Sequence, residues 1–144
     1  MFITLEGIEG SGKTTQIGRL VEFLENKGIG CVMTRQPGGT LIGENIRSIL
    51  LDPANSALAP LAELLLYMAD RAQHIHELIR PALDNGKTVV CDRYFDATLV
   101  YQGFARGLSI ELIGQLHQLL FDDLKPNKAK DLPPFYLKQM HFLN

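Results

Sequence analysis

Residues 2–15 read Phe2-Ile3-Thr4-Leu5-Glu6-Gly7-Ile8-Glu9-Gly10-Ser11-Gly12-Lys13-Thr14-Thr15. The opening run Phe2-Ile3-Thr4-Leu5 is β-branched and aromatic, which predicts a buried strand entering a glycine-rich turn at Glu6-Gly7. From Lys13 onward Ile17, Leu20, Val21 and Leu24 recur at helical spacing, predicting a helix to about Asn26. Between strand and helix, Gly7 to Thr14 fits G-x-x-x-x-G-K-[ST] at every fixed position. Glycines there let successive backbone N–H groups face inward without a Cβ in the way, forming a nest for an anion. The helix adds its positive N-terminal end. The expected phosphate-binding set is Gly7, Gly10, Ser11, Gly12, Lys13, Thr14 and Thr15. Lys13 would reach the β- and γ-phosphates of a nucleoside triphosphate, and the Thr14 hydroxyl would ligate Mg²⁺. A chance match is expected in roughly one chain of this length in two hundred, and here the match also has the required strand–turn–helix context. Phosphate binding is therefore preferred over an accidental glycine-rich turn.

Outward from this loop, strands alternate with helical stretches. Cys31-Val32-Met33 and Thr88-Val89-Val90-Cys91 read as further strands, and Pro37-Gly38-Gly39 as a turn. Helices are predicted over about 43–51, 58–84, 96–105 and 109–124, with Pro60 near the start of the long one and Pro81 kinking it. That alternation is the α/β class: a parallel sheet flanked by crossover helices. After Pro126 the pattern breaks down, and no fourth strand is predicted there. The expected division is a P-loop domain over 1–126 and an atypical tail over 127–144.

The 144 residues suffice for one domain with a substantial core. A net charge of −2, without runs of like charge, argues against a protein that neutralises many nucleic-acid phosphates. Cys31 and Cys91 have no metal-ligand or redox spacing and read as buried free thiols. No signal peptide opens the chain, and no apolar run approaches the ~20 residues of a membrane helix. The expectation is a cytoplasmic protein. His74 and His76 are two apart on a helix and diverge, so they do not suggest a metal site. Asp122-Asp123 diverge likewise, and Leu64-Leu65-Leu66 reads as core.

Arg35 follows the second strand and Asp92-Arg93 the third. In an open parallel sheet ligands bind beyond the carboxyl ends of the strands, so these three belong near the P-loop. An arginine fork suits a phosphate, and Asp92 is placed to hold Mg²⁺ or its water. For a single arginine a surface ion pair is an equally good reading; two at strand ends favour the site.

Taken in order, Glu6 to Thr15, Thr34-Arg35-Gln36-Pro37-Gly38-Gly39-Thr40, Asp70-Arg71-Ala72, Asp92-Arg93-Tyr94 and Tyr101-Gln102-Gly103 resemble the signatures of bacterial-type thymidylate kinases, from Met1 to about Pro126. The resemblance implies a nucleoside monophosphate kinase-like fold and transfer of the γ-phosphoryl group of ATP to dTMP, with Mg²⁺. Lys13, Asp92 and Arg93 would be the catalytic residues, and Thr14 and Asp92 the metal-holding ones. It implies that Glu9 accepts a hydrogen bond from the sugar 3′-hydroxyl, that Tyr67 stacks on thymine, and that Arg71 bonds a base carbonyl. Arg93 would hold the acceptor phosphate, with Arg47 and Arg35 close by. Thr98 would bond the base edge, Tyr101 would disfavour a ribose, and Gln102 would contact base or sugar. Each has a plainer alternative: Tyr67 as core, Arg71 as a structural partner of Asp70, Thr98 as an exposed helix residue. The family's usual homodimer is carried over as an expectation.

Two departures stand out. Position 36 is glutamine where the family usually has glutamate. After Leu124-Lys125-Pro126 the family's further core strand, basic lid and last strand are not recognisable. A truncation, a shifted reading frame and a natural variant all remain open, and the fold is expected to be incomplete at its C-terminal end, with an uncovered sheet edge. Ile8, Glu9, Gly10 and Ser11 include no arginine, so poor turnover is expected without a lid to supply that charge. The alternatives are another P-loop nucleoside or nucleotide kinase and a catalytically silent nucleotide-binding fragment. A GTPase is disfavoured because no N-K-x-D sequence occurs.

Overall fold

The computed structural model describes residues 1–7, 10–121 and 124, together with the strands at 129–130 and 140–142. The strands are β1 (Phe2–Leu5), β2 (Cys31–Arg35), β3 (Thr88–Asp92), β4 (Ala129–Lys130) and β5 (Met140–Phe142). The helices are α1 (Lys13–Glu25), α2 (Leu41–Leu51), α3 (Pro60–His74), α4 (Arg80–Asp84), α5 (Phe95–Thr98) and α6 (Ile110–Phe121). Two wider, π-helical segments occur, Ile75–Ile79 after α3 and Leu99–Ala105 after α5.

The sheet runs β2-β3-β1-β5-β4. β1 and β2 both pair parallel to β3, with Leu5 and Arg35 each in register with Asp92. The three parallel strands therefore end level with one another, on the edge where the P-loop begins. β1 is buried throughout, and β3 through its first four residues, which is why both read as near-continuous apolar runs. β2, at the edge, alternates with exposed positions. Ile17 and Leu24 of α1 close over Ile3, Leu5 and Val90, with Leu20, Val21 and Cys31 packed at the margin.

The expectation of no strand after Pro126 is corrected: β5 pairs antiparallel with β1, and β4 with β5. β5 covers the edge of β1 that β3 leaves free, so that edge is not open. Two and three residues are too few to show a period of two. Such strands arise because a free strand edge offers backbone donors and acceptors, whatever the side chains.

Helix boundaries moved where caps act. α2 begins two residues earlier than predicted because the Thr40 hydroxyl accepts from the Gly43 N–H at 2.9 Å, and Glu44 in turn accepts from the Gly39 N–H at 3.0 Å. Pro81 lies just after the π-helical turns at Ile75–Ile79. Its ring presses on the carbonyl four residues back and donates nothing to it, and widened turns absorb that conflict.

The chain divides into two compact units. One comprises 1–35, 79–94 and 125–144, and holds the sheet; the other comprises 36–78 and 95–124, and is helical. No helix among the described residues is long and apolar enough to cross a membrane.

Candidate functional site

In the sheet unit, the chain leaves β1 at Leu5 and turns through glycines that need positive φ: Gly7 at 148°, Gly10 at 73° and Gly12 at 76°. Gly12 is the N-cap of α1, with no side-chain cap and no acidic residue in the first turn. The positive end of α1 is thus left to whatever the loop binds. Lys13 is buried and its Nζ donates to the Gly7 carbonyl at 2.9 Å, which folds the ammonium back over the loop. Ser11 Oγ is buried in the same turn without a hydrogen-bond partner among the described residues. Thr14 and Thr15 are exposed on the first turn of α1. Glu9 lies outside the described residues.

At the end of β3, Asp92 is half-buried, and its Oδ1 is shielded from water with no partner among the described residues. A buried carboxylate oxygen without a donor is costly unless a cation or water meets it. Asp92 therefore fits the metal-holding role. Arg93 adopts φ 69°, the one non-glycine residue with positive φ among those described. That conformation costs about 1–2 kcal/mol for a residue with a Cβ, so something holds it. Its N–H donates to the Leu5 carbonyl at 3.0 Å, and its carbonyl accepts from the Cys91 thiol at 3.0 Å. The Glu6 carboxylate accepts from the Tyr94 N–H at 2.7 Å. Arg35 ends β2, exposed, level with Asp92.

The helical unit brings together the second set. Arg71 is 1% exposed. Its Nε donates to Gln36 Oε1 at 2.9 Å, and a terminal nitrogen donates to Thr98 Oγ1 at 2.8 Å. Its guanidinium carbon lies 5.7 Å from the centre of the Phe95 ring. Thr98 is buried, so its reading as an exposed helix residue is corrected: the α5 turn aims its hydroxyl at Arg71. Tyr67, one turn before Arg71, is half-buried. Arg47 donates to the Pro37 carbonyl at 2.7 Å. Tyr101 is exposed, and Gln102 is buried with its amide donating to Glu63 at 2.7 Å.

Three residues of this unit are absent from the expected site: Asp70, His74 and Gln36. Asp70 is fully buried and accepts from the Gly38 N–H at 2.8 Å, pinning the 36–40 loop. Burial pushes its carboxyl up to about 6, against the pull of the Gly38 bond and the Arg71 charge. His74 is fully buried, and burial, helped by Arg71, pushes it down to about 4. A neutral ring then accepts at Nδ1 from the Gln36 amide, 3.5 Å away. Gln36 itself is the link: its oxygen serves Arg71 and its nitrogen His74. His76, two residues on, is exposed, as the helical divergence implied. Among the described residues no group of three His, Cys, Asp or Glu could hold a metal ion.

Glycines at positive φ after a strand end, leading into a helix N-terminus, with an aspartate and an arginine at the end of the neighbouring strand, mark a P-loop protein of the nucleoside monophosphate kinase-like α/β fold. A thymidylate kinase family model matches residues 5–129. The thymidylate kinase of Desulfosudis oleivorans is 62% identical over 136 residues, covering 93% of this chain and 64% of that protein. That of Desulforapulum autotrophicum is 63% identical over 127 residues, covering 88% and 56%. The crystal structure of thymidylate kinase from Ehrlichia chaffeensis superposes with a TM-score of 0.80 at 45% identity, covering 89% of this chain and 71% of that one. The chain belongs to the thymidylate kinase family. It spans 64% of the length of the first of these relatives and 56% of the second.

Proposed function

We propose that the chain binds ATP at residues 7–15 and transfers its γ-phosphoryl group to dTMP, giving dTDP and ADP. The observation that carries this reading is the level ending of β1, β2 and β3. It sets the P-loop, Arg35, Asp92 and Arg93 along one sheet edge, in a chain of this family.

The chemistry needs no general base. A phosphate monoester has its second pKa near 6, so the acceptor oxygen is already largely deprotonated at neutral pH. That oxygen attacks the γ-phosphorus as the bond to the β–γ bridging oxygen breaks, and ADP leaves with the electron pair. The protein's task is to hold two anions in line and balance their charge. Lys13 and the N–H groups at the start of α1 serve the β- and γ-phosphates, and Arg93, with Arg35 and Arg47, the acceptor phosphate. Thr14 and Asp92 would hold Mg²⁺, Asp92 partly through water, and the bound ion supplies charge neutralisation on the β- and γ-phosphates. For the nucleoside, Tyr67 stacks on the base, Arg71 and Thr98 read its edge, Gln102 contacts base or sugar, Glu9 takes the 3′-hydroxyl and Tyr101 disfavours a 2′-hydroxyl. The reading places the protein in the cytoplasm, as a homodimer.

ADP release with Mg-ATP tests it, against dTMP, dUMP, UMP, dCMP and AMP, with Lys13→Ala as control. Release that depends on dTMP and collapses in the variant is expected. Release with another acceptor would instead indicate a different nucleotide kinase. Binding of both nucleotides without release would identify a nucleotide-binding protein that does not turn over.

A further inference from the structure

Arg93 is held in a conformation its own chemistry disfavours, and two side chains to which the sequence assigns no site role do the holding. The peptide group joining Arg93 to Tyr94 is bonded at both ends. Its carbonyl accepts from the Cys91 thiol at 3.0 Å, and its N–H donates to the Glu6 carboxylate at 2.7 Å. The peptide group before Arg93 donates to the Leu5 carbonyl at 3.0 Å. Fixing the planes on either side of one Cα fixes both its φ and its ψ, and here the value selected is φ 69°. Tyr94 is then anchored beyond the clamp, 1% exposed, with its ring edge-on to Phe2 at 5.0 Å. Glu6 immediately precedes Gly7, so the same carboxylate ties the start of the phosphate loop to the residue after Arg93.

We propose that Cys91 and Glu6 are positioning residues for Arg93. The thiol and the carboxylate lock the Arg93–Tyr94 peptide, hold Arg93 in the left-handed region, and thereby set the direction in which its side chain leaves the sheet edge. The consequence for acceptor binding rests on the reading of Arg93 as the acceptor-phosphate ligand; the backbone clamp itself does not. Cys91 thus has a role for which a buried apolar residue of the same size is no substitute, because the clamp uses its S–H.

The test pairs a conformational readout with a binding one. At positive φ the amide and α-protons of one residue are unusually close and give a strong intraresidue NOE in the Arg93 spin system. Binding of dTMP and of thymidine, measured by calorimetry, gives a monophosphate-over-nucleoside preference. Cys91→Ala is expected to weaken the NOE and to lower the preference by about two- to tenfold, the scale of one net hydrogen bond. Cys91→Ser, which keeps a donor, retains both. Glu6→Leu weakens the NOE while Glu6→Gln, which keeps an acceptor, preserves it. In an Arg93→Ala background, Cys91→Ala lowers the preference no further, a result that a merely structural cysteine would not produce. An unchanged NOE in folded Cys91→Ala and Glu6→Leu proteins overturns the proposal. An Arg93→Ala protein that keeps the full preference overturns the phosphate reading of Arg93 and, with it, the functional half of the proposal.

Discussion

Asp70 and His74 lie four residues apart on α3, both closed off from water, and burial moves their proton affinities in opposite senses. Folded Asp70 holds its proton up to about 6 against 3.8 for the free side chain. Its contribution is therefore complete below pH 3.8 and is lost as pH rises through 6. Folded His74 resists protonation down to about 4 against 6.5, so its contribution is complete above pH 6.5 and is lost as pH falls through 4. Each shift corresponds to ~3 kcal/mol, and across pH 4 to 6 the two slopes nearly cancel. In urea unfolding, stability relative to the parent should fall from pH 4 to 6 in His74→Gln and rise over the same window in Asp70→Asn. Profiles parallel to the parent's would remove both residues from the account. Gln36 belongs to the same network, and the sequence flagged it only as a glutamine in place of a usual glutamate. Its two bonds show why a neutral amide works here: it accepts from a buried guanidinium and donates to a neutral imidazole, which a carboxylate cannot do.

Among the elements, the helical glycines separate into those that packing requires and those it merely tolerates. A Cβ on Gly43 would sit 2.7 Å from Asp70 Oδ1 and 2.9 Å from both the Gly38 carbonyl and the Thr40 hydroxyl. Of these atoms, the Thr40 hydroxyl caps α2 and Asp70 Oδ1 pins the 36–40 loop. Gly43→Ala is therefore expected to destabilise by about 1–3 kcal/mol through overpacking, outweighing the gain in helix propensity. Gly18 on α1 has nothing within 4 Å of the same position. There the propensity gain of up to about 1 kcal/mol stands alone, and Gly18→Ala should stabilise. Denaturant midpoints for the two variants moving the same way would contradict this account. The glycine turn ahead of α1 was legible because its signal is local: glycine spacing, a lysine, and a helix beginning beside them. The cap at Thr40 and the two π-helical segments were not, since both depend on contacts that periodicity does not encode.

At the level of assembly, three helices of the helical unit keep apolar side chains in water. Leu61 and Leu65 share a face of α3, Leu112 and Leu119 a face of α6, and Ile42 and Ile49 a face of α2, and all six are exposed. α3 contacts both α2 and α6. Exposed apolar stripes on helices that pack together are the kind of surface a protein interface covers, and they motivate the proposed homodimer. Light scattering after size exclusion should show a dimer for the parent and a monomer for the Leu65→Glu, Leu119→Glu double variant. A monomeric parent would sink the dimer.

From residues alone came the α/β class, the glycine turn between β1 and α1, the residues at the carboxyl ends of the first three strands, and the family resemblance. Each of these follows from neighbours in the chain or from ordered motifs. Tertiary structure decided the rest. It turned Thr98 inward onto Arg71, put Gln36 between Arg71 and His74, and clamped Arg93 with Cys91 and Glu6. It also closed the free edge of β1 with β5. In each case the partners lie tens of residues apart in sequence or meet through backbone groups common to every residue. Composition and spacing carry no record of such meetings; only the packed chain does.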